Sequence, residues 1–344
     1  MLLTNLSSIH SRNKTALQKK MRILYALSLS LLYIVNAAIN CLNEAGNPVP
    51  YWVIFKLPQG TQYYYYDQKT GFTASPYSLN DTTQGALTNT MQQIWSQNPY
   101  YAFYNDEFEG QAEYNYTVGH SKGIWIWQEF TQGIFIQHSL PNFPAPNQEQ
   151  YTGLPSNLYD YGQHLFCIST DISQISQQFQ YVIPQFYDTQ LPPTVSVPFN
   201  GEFNTSAVCI NKTLSNTVTI FAKTAAWNAD LYADCIAPVL SSPLSVESWQ
   251  HGDYPEGAAC QPIVPYNTVD IQTLNFGIPS GSLPTTFSIM DDHSKWAIGD
   301  TSIVCFGDIN RVTTQYERNG AAICIEDGQL WKSMTMAIVA QESC

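Results

Sequence analysis

Gly119-His120-Ser121-Lys122-Gly123-Ile124-Trp125-Ile126-Trp127 opens with a polar tripeptide and runs into β-branched and aromatic residues, the composition of a strand. Turn residues follow up to Gly133, and Ile134-Phe135-Ile136 supplies the return strand of a hairpin. Beyond it, His138-Ser139-Leu140-Pro141-Asn142-Phe143-Pro144 contains two prolines that stop the strand and stiffen a loop around Asn142. The same plan recurs at His293-Ser294-Lys295. Trp296-Ala297-Ile298 is followed by a turn at Gly299-Asp300, the strand Ser302-Ile303-Val304-Cys305-Phe306, and then Gly307-Asp308-Ile309-Asn310-Arg311. With six histidines in 344 residues, chance supplies roughly 0.2 His-x-Lys triplets, so a matched pair carries information.

Each half therefore offers His, Lys and Asn, a set suited to phosphoryl transfer. A neutral imidazole can attack the phosphorus of a diester and form a phosphohistidine. The second histidine can protonate the departing alkoxide and then activate water. His120, Lys122, His293 and Lys295 are the catalytic candidates; Asn142, Asn310, His138 and Arg311 are the substrate-binding candidates, with Arg311 favoured by its planar fork. Lys223 is a second candidate phosphate contact. His10 falls in the leader, and His164 and His251 read as packing residues. No Cys/His cluster or carboxylate cluster is visible, so no metal and no cofactor is expected.

Other segments extend the pattern. Pro48-Val49-Pro50-Tyr51-Trp52-Val53-Ile54-Phe55-Lys56-Leu57-Pro58, Tyr161-Gly162-Gln163, Phe221-Ala222-Lys223 and the final Gly320 and Cys324 stand in the same order as in the deoxyribonuclease II family, which the chain resembles over almost all of its length beyond the leader. The resemblance implies a mixed α/β (α+β) fold, a phospholipase D-like pseudodimer of two sheet-plus-helix halves sharing one active site. It implies endonucleolytic cleavage of DNA at acidic pH without a metal, leaving 3′-phosphate and 5′-hydroxyl ends. By motif, His120, Lys122 and Asn142 match one half-site, and His293, Lys295 and Asn310 the other. His138 matches a further family histidine. Two positions depart from the family pattern, Gln128 where relatives often carry Asp and Ala297 where a Cys is common, and neither belongs to the His, Lys and Asn set.

Composition agrees with a globular protein, at 44% hydrophobic and 12% charged residues. Residues 1–38 form a secretory signal region: five basic side chains, no acid, an apolar run from Ile23 to Val35, then Ala37 and Ala38. That run is short for a membrane span, so no stable membrane association is expected after cleavage. Without the leader, nine basic residues stand against 27 acidic ones, a net charge of −18. Such a field repels DNA at neutrality and relaxes as carboxylates and histidines take up protons near pH 5. A secreted or lysosomal destination follows.

Eight cysteines in a secreted chain read as disulfides, and spacing alone leaves 105 pairings open. The family resemblance implies Cys41 with Cys167, Cys305 with Cys324, and Cys260 with Cys344, which leaves Cys209 and Cys235. Sequons at Asn80, Asn115, Asn204 and Asn211 are expected glycosylation sites. Residues 39–190 are assigned to an N-terminal half and 191–344 to a C-terminal half, with the polar stretch from Pro184 to Gly201 between them. Helices are expected from Asp81, from Asp171, around Trp227 to Ile236, and from Asp327. An alternative function is a secreted homologue kept as a binding protein with low or lost activity. The retained His-Lys pairs argue against that alternative, and a lipid phosphodiesterase, which shares the chemistry and needs an apolar entrance, is a third reading.

Overall fold

A computed structural model describes residues 38–129, 132–192, 202–250, 255–277 and 285–344. The leader up to Ala37, His10 and His251 lie outside the described residues. Residues 39–344 form one compact unit.

A short ribbon, β1 (Cys41–Leu42) with β2 (Pro48–Val49), precedes two large sheets. The first contains β3 (Tyr51–Lys56), β4 (Gln62–Asp67), β5 (Gly71–Ser78), β6 (Tyr100–Asn105), β7 (Lys122–Glu129), β8 (Gln132–His138), β9 (Gln163–Thr170) and β10 (Phe186–Gln190), in the spatial order β10-β6-β7-β8-β9-β3-β4-β5. The second contains β11 (Cys209–Ser215), β12 (Val218–Lys223), β13 (Leu244–Glu247), β14 (Thr268–Asn275), β15 (Thr286–Ser288), β16 (Trp296–Gly299), β17 (Ile303–Gly307) and β18 (Gly320–Glu326), in the order β11-β12-β18-β17-β16-β13-β14-β15. A final strand, β19 (Ile338–Gln341), joins it beside β14. Both expected hairpins form, β7 with β8 and β16 with β17. In each sheet the strand that follows His-Ser-Lys lies between its hairpin partner and an antiparallel strand, β6 or β13, on the other side.

Alternation along the strands sorts the side chains into layers. Val53 and Phe55 of β3, Trp125 and Trp127 of β7 and Phe166 of β9 enter a core shared with Trp296, Phe306 and Ile323 of the second sheet. Their neighbours Trp52, Ile54, Ile124 and Ile126 enter a separate cluster on the outer face. Aromatic contacts bridge the sheets directly: Phe166 stacks on Phe306 at 4.8 Å, and Phe55 meets Trp296 edge-on at 6.1 Å. Truncating a buried aromatic such as Trp125 would cost about 3–5 kcal/mol. Trp125, Trp127 and Trp296 are core residues.

Helices wedge between the sheets. One, Ile172–Phe179, is capped by Asp171, which accepts from the Ser173 N–H; Ile172, Ile175 and Phe179 join the shared core. The last, Gly328–Ala337, is capped by Asp327, whose carboxylate accepts from the Gln329 and Leu330 N–H groups and from the hydroxyls of Tyr51 and Tyr66. One sequence expectation needs correction. The helix expected from Asp81 begins at Ala86, because the Asp81 carboxylate closes a turn on Thr83 and Gln84 instead. The stretch expected to separate the halves contains β10, which pairs with β6 at the edge of the first sheet. The segment around Tyr232 is a π-helical turn, Leu231–Ile236, followed by a short α-helix, Ala237–Leu240.

Four disulfides link Cys41–Cys167, Cys209–Cys235, Cys260–Cys344 and Cys305–Cys324. The last joins directly opposed residues of β17 and β18, bracing the strand that leads to Asn310. Each contributes about 2–4 kcal/mol through the unfolded state. Among the described residues no helix is long and apolar enough to cross a membrane.

Candidate active site

His120 precedes β7 and Lys122 is its first residue; His293 and Lys295 both precede β16, which begins at Trp296. All four line one groove of about 480 Å³, together with Asn310, Trp249, Tyr114, Tyr116 and Arg318. Backbone bonds tie each histidine to the loop that precedes a strand of the opposite sheet. The His120 N–H donates to the Asn319 carbonyl at 2.9 Å, just before β18, and the His293 N–H donates to the Gly162 carbonyl at 2.8 Å, just before β9. The placement of each histidine thus depends on the other half of the chain.

Conserving that placement is the work of two buried lysines. Lys56, the last residue of β3, donates to the carbonyls of Leu57, Tyr159 and Tyr161. Lys223, the last residue of β12, donates to the carbonyls of Tyr316 and Arg318 at 2.7 Å. Burial pushes the Lys223 ammonium down to about 8. Lys223 is therefore a brace for the 315–318 turn, not a phosphate contact.

His120 and His293 have different surroundings. The His120 Nδ1 lies 2.7 Å from the Asp308 carbonyl oxygen. A carbonyl can only accept, so Nδ1 carries the proton and Nε2 of the neutral ring carries the lone pair. Burial pushes the His120 pKa well below the usual range, and the nearby Asp106 only partly opposes this against Lys122, Lys295 and Arg318. The ring is thus neutral in mild acid. His293 is flanked by aromatics: Tyr161 stacks on it at 4.2 Å and 12°, and Trp249 approaches edge-on at 3.8 Å.

Charges around the groove are paired with care. Asp106, fully buried just after β6, forms ion pairs with Lys122 and, at 3.2 Å, with Arg318. Burial works against the ionised form, but the Lys122 charge and the hydrogen bonds from Lys122 and Tyr114 hold the carboxyl well below the usual carboxylate range. Lys295 donates to the His293 carbonyl at 2.7 Å, and its own N–H donates to His164 Nδ1 at 3.1 Å. Burial, helped by Lys122, lowers the Lys295 ammonium to about 8, so it stays charged in acid. Burial raises Asp308 to about 7, so this carboxyl is neutral at pH 5.

Asn310 reaches the groove, its N–H held by Gln315 Oε1 at 2.8 Å. Three other sequence candidates lie outside the residues that line the groove. Arg311 is fully buried, paired with Asp230 at 2.9 Å and Asp270 at 2.7 Å, with Gly257 accepting a further bond; it is a structural ion-pair centre and no phosphate reaches it. His138 is 1% exposed and lines a separate void of about 10 Å³ with His120, Lys122, Lys295 and Asp308, so it backs the catalytic groups. Asn142 is half-buried in a left-handed turn, φ 52°, its N–H bound to the Glu107 carbonyl, and the groove is lined at this point by Ser139 and Pro141.

His164, read as an isolated packing residue, instead holds the Lys295 backbone. Sequence reading also missed Asp106, Arg318 and Trp249, none of which has a local motif, and gave Tyr161 no role although it quoted the segment Tyr161-Gly162-Gln163. Asp106, Glu107 and His120 bring potential metal ligands within 4.8 Å of one another, a grouping the sequence did not reveal. Two cations, Lys122 and Arg318, already neutralise Asp106, which leaves little negative charge for a divalent ion.

Comparisons with known proteins bear on the chain as a whole. The family model of deoxyribonuclease II matches residues 40–344. Cell death-related nuclease 6 of Caenorhabditis elegans is 30% identical over 348 residues, spanning 89% of each chain. Deoxyribonuclease-2-alpha of Rattus norvegicus is 28% identical over 349 residues, 92% of this chain and 98% of its own. Plancitoxin-1 of Acanthaster planci is 28% identical, over 92% of this chain and 97% of its own. The chain belongs to the deoxyribonuclease II family of nucleases.

Proposed function

We propose that this nuclease is an acid endonuclease that hydrolyses DNA phosphodiesters without a metal ion, through a phosphohistidine on His120. The observation that carries the reading is the Asp308 carbonyl on His120 Nδ1, which commits the neutral ring to attack through Nε2. The P–N bond forms as the P–O5′ bond breaks, and an imidazolium at His293 gives its proton to the leaving oxygen. Water then attacks the phosphohistidine, His293 takes its proton, and the P–N bond breaks. The products are a 3′-phosphate and a 5′-hydroxyl. Lys122, Lys295 and the Asn310 side chain stabilise the charge on the equatorial oxygens.

The two sheets act as the halves of a phospholipase D-like pseudodimer, residues 39–190 and 191–344, each supplying one His-Lys pair. Acidic pH suits this site because Asp308 becomes neutral while Asp106 stays ionised. The signal region at 1–38 directs the chain to a secreted or lysosomal destination. Among the sequons, Asn211 is exposed on the edge strand β11 and is the favoured glycosylation site, whereas the Asn80 amide is engaged by the Tyr159 hydroxyl.

A plasmid-nicking assay at pH 5 with EDTA tests the proposal, with end-labelling of the products. Nicking that survives EDTA and yields 3′-phosphate ends is expected. A strict requirement for an added divalent cation, or 5′-phosphate ends, would sink the mechanism.

A further inference from the structure

The outermost strand of a sheet leaves a row of backbone donors and acceptors unpaired, and proteins blunt such edges with charge, proline or brevity. Most edges of this molecule are blunted in this way. β5 carries Pro76, β10 carries Asp188, β11 carries Lys212 beside the Asn211 sequon, and β15 has three residues. β19 has none of these devices over most of its length. It reads Ile338-Val339-Ala340-Gln341, without charge or proline, and among the described residues its one strand partner is β14. Val339 is 59% exposed, and Met336, near the end of the last helix, is 72% exposed. The strand is nonetheless held in place: the Glu342 N–H donates to the Asp270 carbonyl at 2.8 Å, and the Cys260–Cys344 disulfide ties down the chain just beyond it. Beside β19 runs a groove of about 680 Å³, with Leu244, Val269, Ile298 and Trp331 as apolar walls and Asp300 and Glu342 as its charged residues. Among the described residues no Lys or Arg lines it, and it shares no lining residue with the groove of the two histidines.

We propose that β19 and this groove form a docking site for another protein, which adds an extended basic segment to the second sheet as a further strand. Main-chain hydrogen bonds along the open edge supply affinity, and the side chains on one face of the added strand enter the groove. Long cationic side chains suit it, because their apolar stems can lie along the walls while their charged ends reach Asp300 and Glu342. A second copy of this chain fits the site less well: β19 paired with β19 about a twofold axis would bring the same two carboxylates of both copies to one seam, like charge against like. The docking site stands apart from the nuclease mechanism and leaves the reactive groove open.

The test titrates the whole protein with a short dye-labelled peptide of alternating Lys and Val, against a Glu-Val counterpart and a Lys-Pro peptide of equal charge. The Lys-Val peptide should bind at least about tenfold more tightly than either, since the first control reverses the charge and the second lacks half the backbone donors. Amide hydrogen exchange in residues 338–341 should slow when it binds. Val339 stands outside the β14 register, so Val339→Pro removes a donor from the open edge and should weaken binding about tenfold. Asp300→Asn combined with Glu342→Gln should weaken it about as much. DNA cleavage and melting temperature should be unchanged in the carboxylate variant, which keeps the test valid if Val339→Pro does not fold. Equal binding of the Lys-Pro peptide, an affinity unaltered by the carboxylate variant, or slowed exchange only in other strands would overturn the docking site. A dimer in sedimentation that Val339→Pro dissociates would assign the edge to a second copy and overturn it as well.

Discussion

The two His-Ser-Lys tripeptides are identical in sequence and unlike in setting. At the first, charge surrounds the ring: Asp308 accepts from Nδ1, and Asp106, Lys122 and Arg318 form a linked set of ion pairs next to it. At the second, Tyr161 and Trp249 enclose the imidazole between rings. A repeated motif thus supplies the same groups twice, and the neighbours make the two settings different. Hydrogen bonding to a carbonyl suits a nucleophile that needs one fixed tautomer. An aromatic sandwich holds the second ring in place, and a cation gains from lying over a π-face, which suits a group that is protonated while it waits to act as an acid.

The sharpest way to break this comparison is to remove each ring in turn. His120→Ala and His293→Ala should each lower turnover by at least about a thousandfold, and the double variant should be little worse, since groups acting as one unit are not additive. A diester whose leaving group is p-nitrophenol separates them. Its departure needs no proton, so the first-turnover burst of p-nitrophenol should return in His293→Ala and stay absent in His120→Ala, while later turnovers still need His293 to activate water. Equal rescue of both would remove the division of roles, and retention of a tenth of the wild-type rate by either single variant would remove that histidine from the chemistry.

Much of this was readable from local sequence because both His-Lys pairs and both hairpins are written within a few residues of each other. Alternation in Ile124-Trp125-Ile126-Trp127 is enough to specify a strand buried on both faces. Two of the errors share one cause, partners remote in sequence. Arg311 resembles a phosphate ligand until Asp230 and Asp270 close on it from separate strands and turns. His164 looks isolated until β9 brings it to Lys295, 131 residues away. Asp81 has the right residue type for a helix cap and spends its carboxylate on a tighter turn.

Arg311 supplies the next prediction, an effect on stability and not on binding. Arg311→Ala leaves Asp230 and Asp270 buried without their cation, a loss of about 3–5 kcal/mol. Thermal unfolding should shift downward by many degrees while the folded fraction keeps a KM for DNA within about twofold of wild type, as expected when no substrate contact is lost. A selective rise in KM with an unchanged melting temperature would return Arg311 to the substrate.

Asp308 tests the charged half-site by pH. Its folded pKa, raised by burial to about 7, exceeds the unfolded value of about 3.9. The neutral form is therefore favoured by the fold: its contribution to stability is complete below about pH 4 and is lost as pH rises through 7. Above 7 a carboxylate also appears beside the groups that bind an anionic phosphate. Asp308→Asn removes that titration and keeps the backbone carbonyl on His120. The alkaline limb of kcat/KM should move up by at least about half a pH unit, and the stability of the variant should decline less between pH 4 and 7. An alkaline limb that does not move would assign it to another group.

The smallest expected effect lies in the aromatic half-site. Tyr161→Phe keeps the ring over His293 and loses only a hydroxyl, so kcat should fall less than about threefold, within the range of a conservative packing change. Tyr161→Ala opens one face of the imidazole. The Lys56 bonds that hold this loop go to the carbonyls of residues 159 and 161 and do not depend on the side chain, so the Gly162 carbonyl should still hold the His293 backbone. What changes is the freedom of the ring and its exposure to water. A protonated imidazole that leaves its near-attack position part of the time transfers its proton more slowly, and kcat should fall about tenfold with KM little changed. Because the loss is in proton delivery, the first-turnover burst from the p-nitrophenol diester should proceed in Tyr161→Ala at close to the wild-type rate. If that burst suffers the same tenfold loss, Tyr161 supports the groove as a whole, and the contrast between a carbonyl-bound nucleophile and a ring-held acid fails.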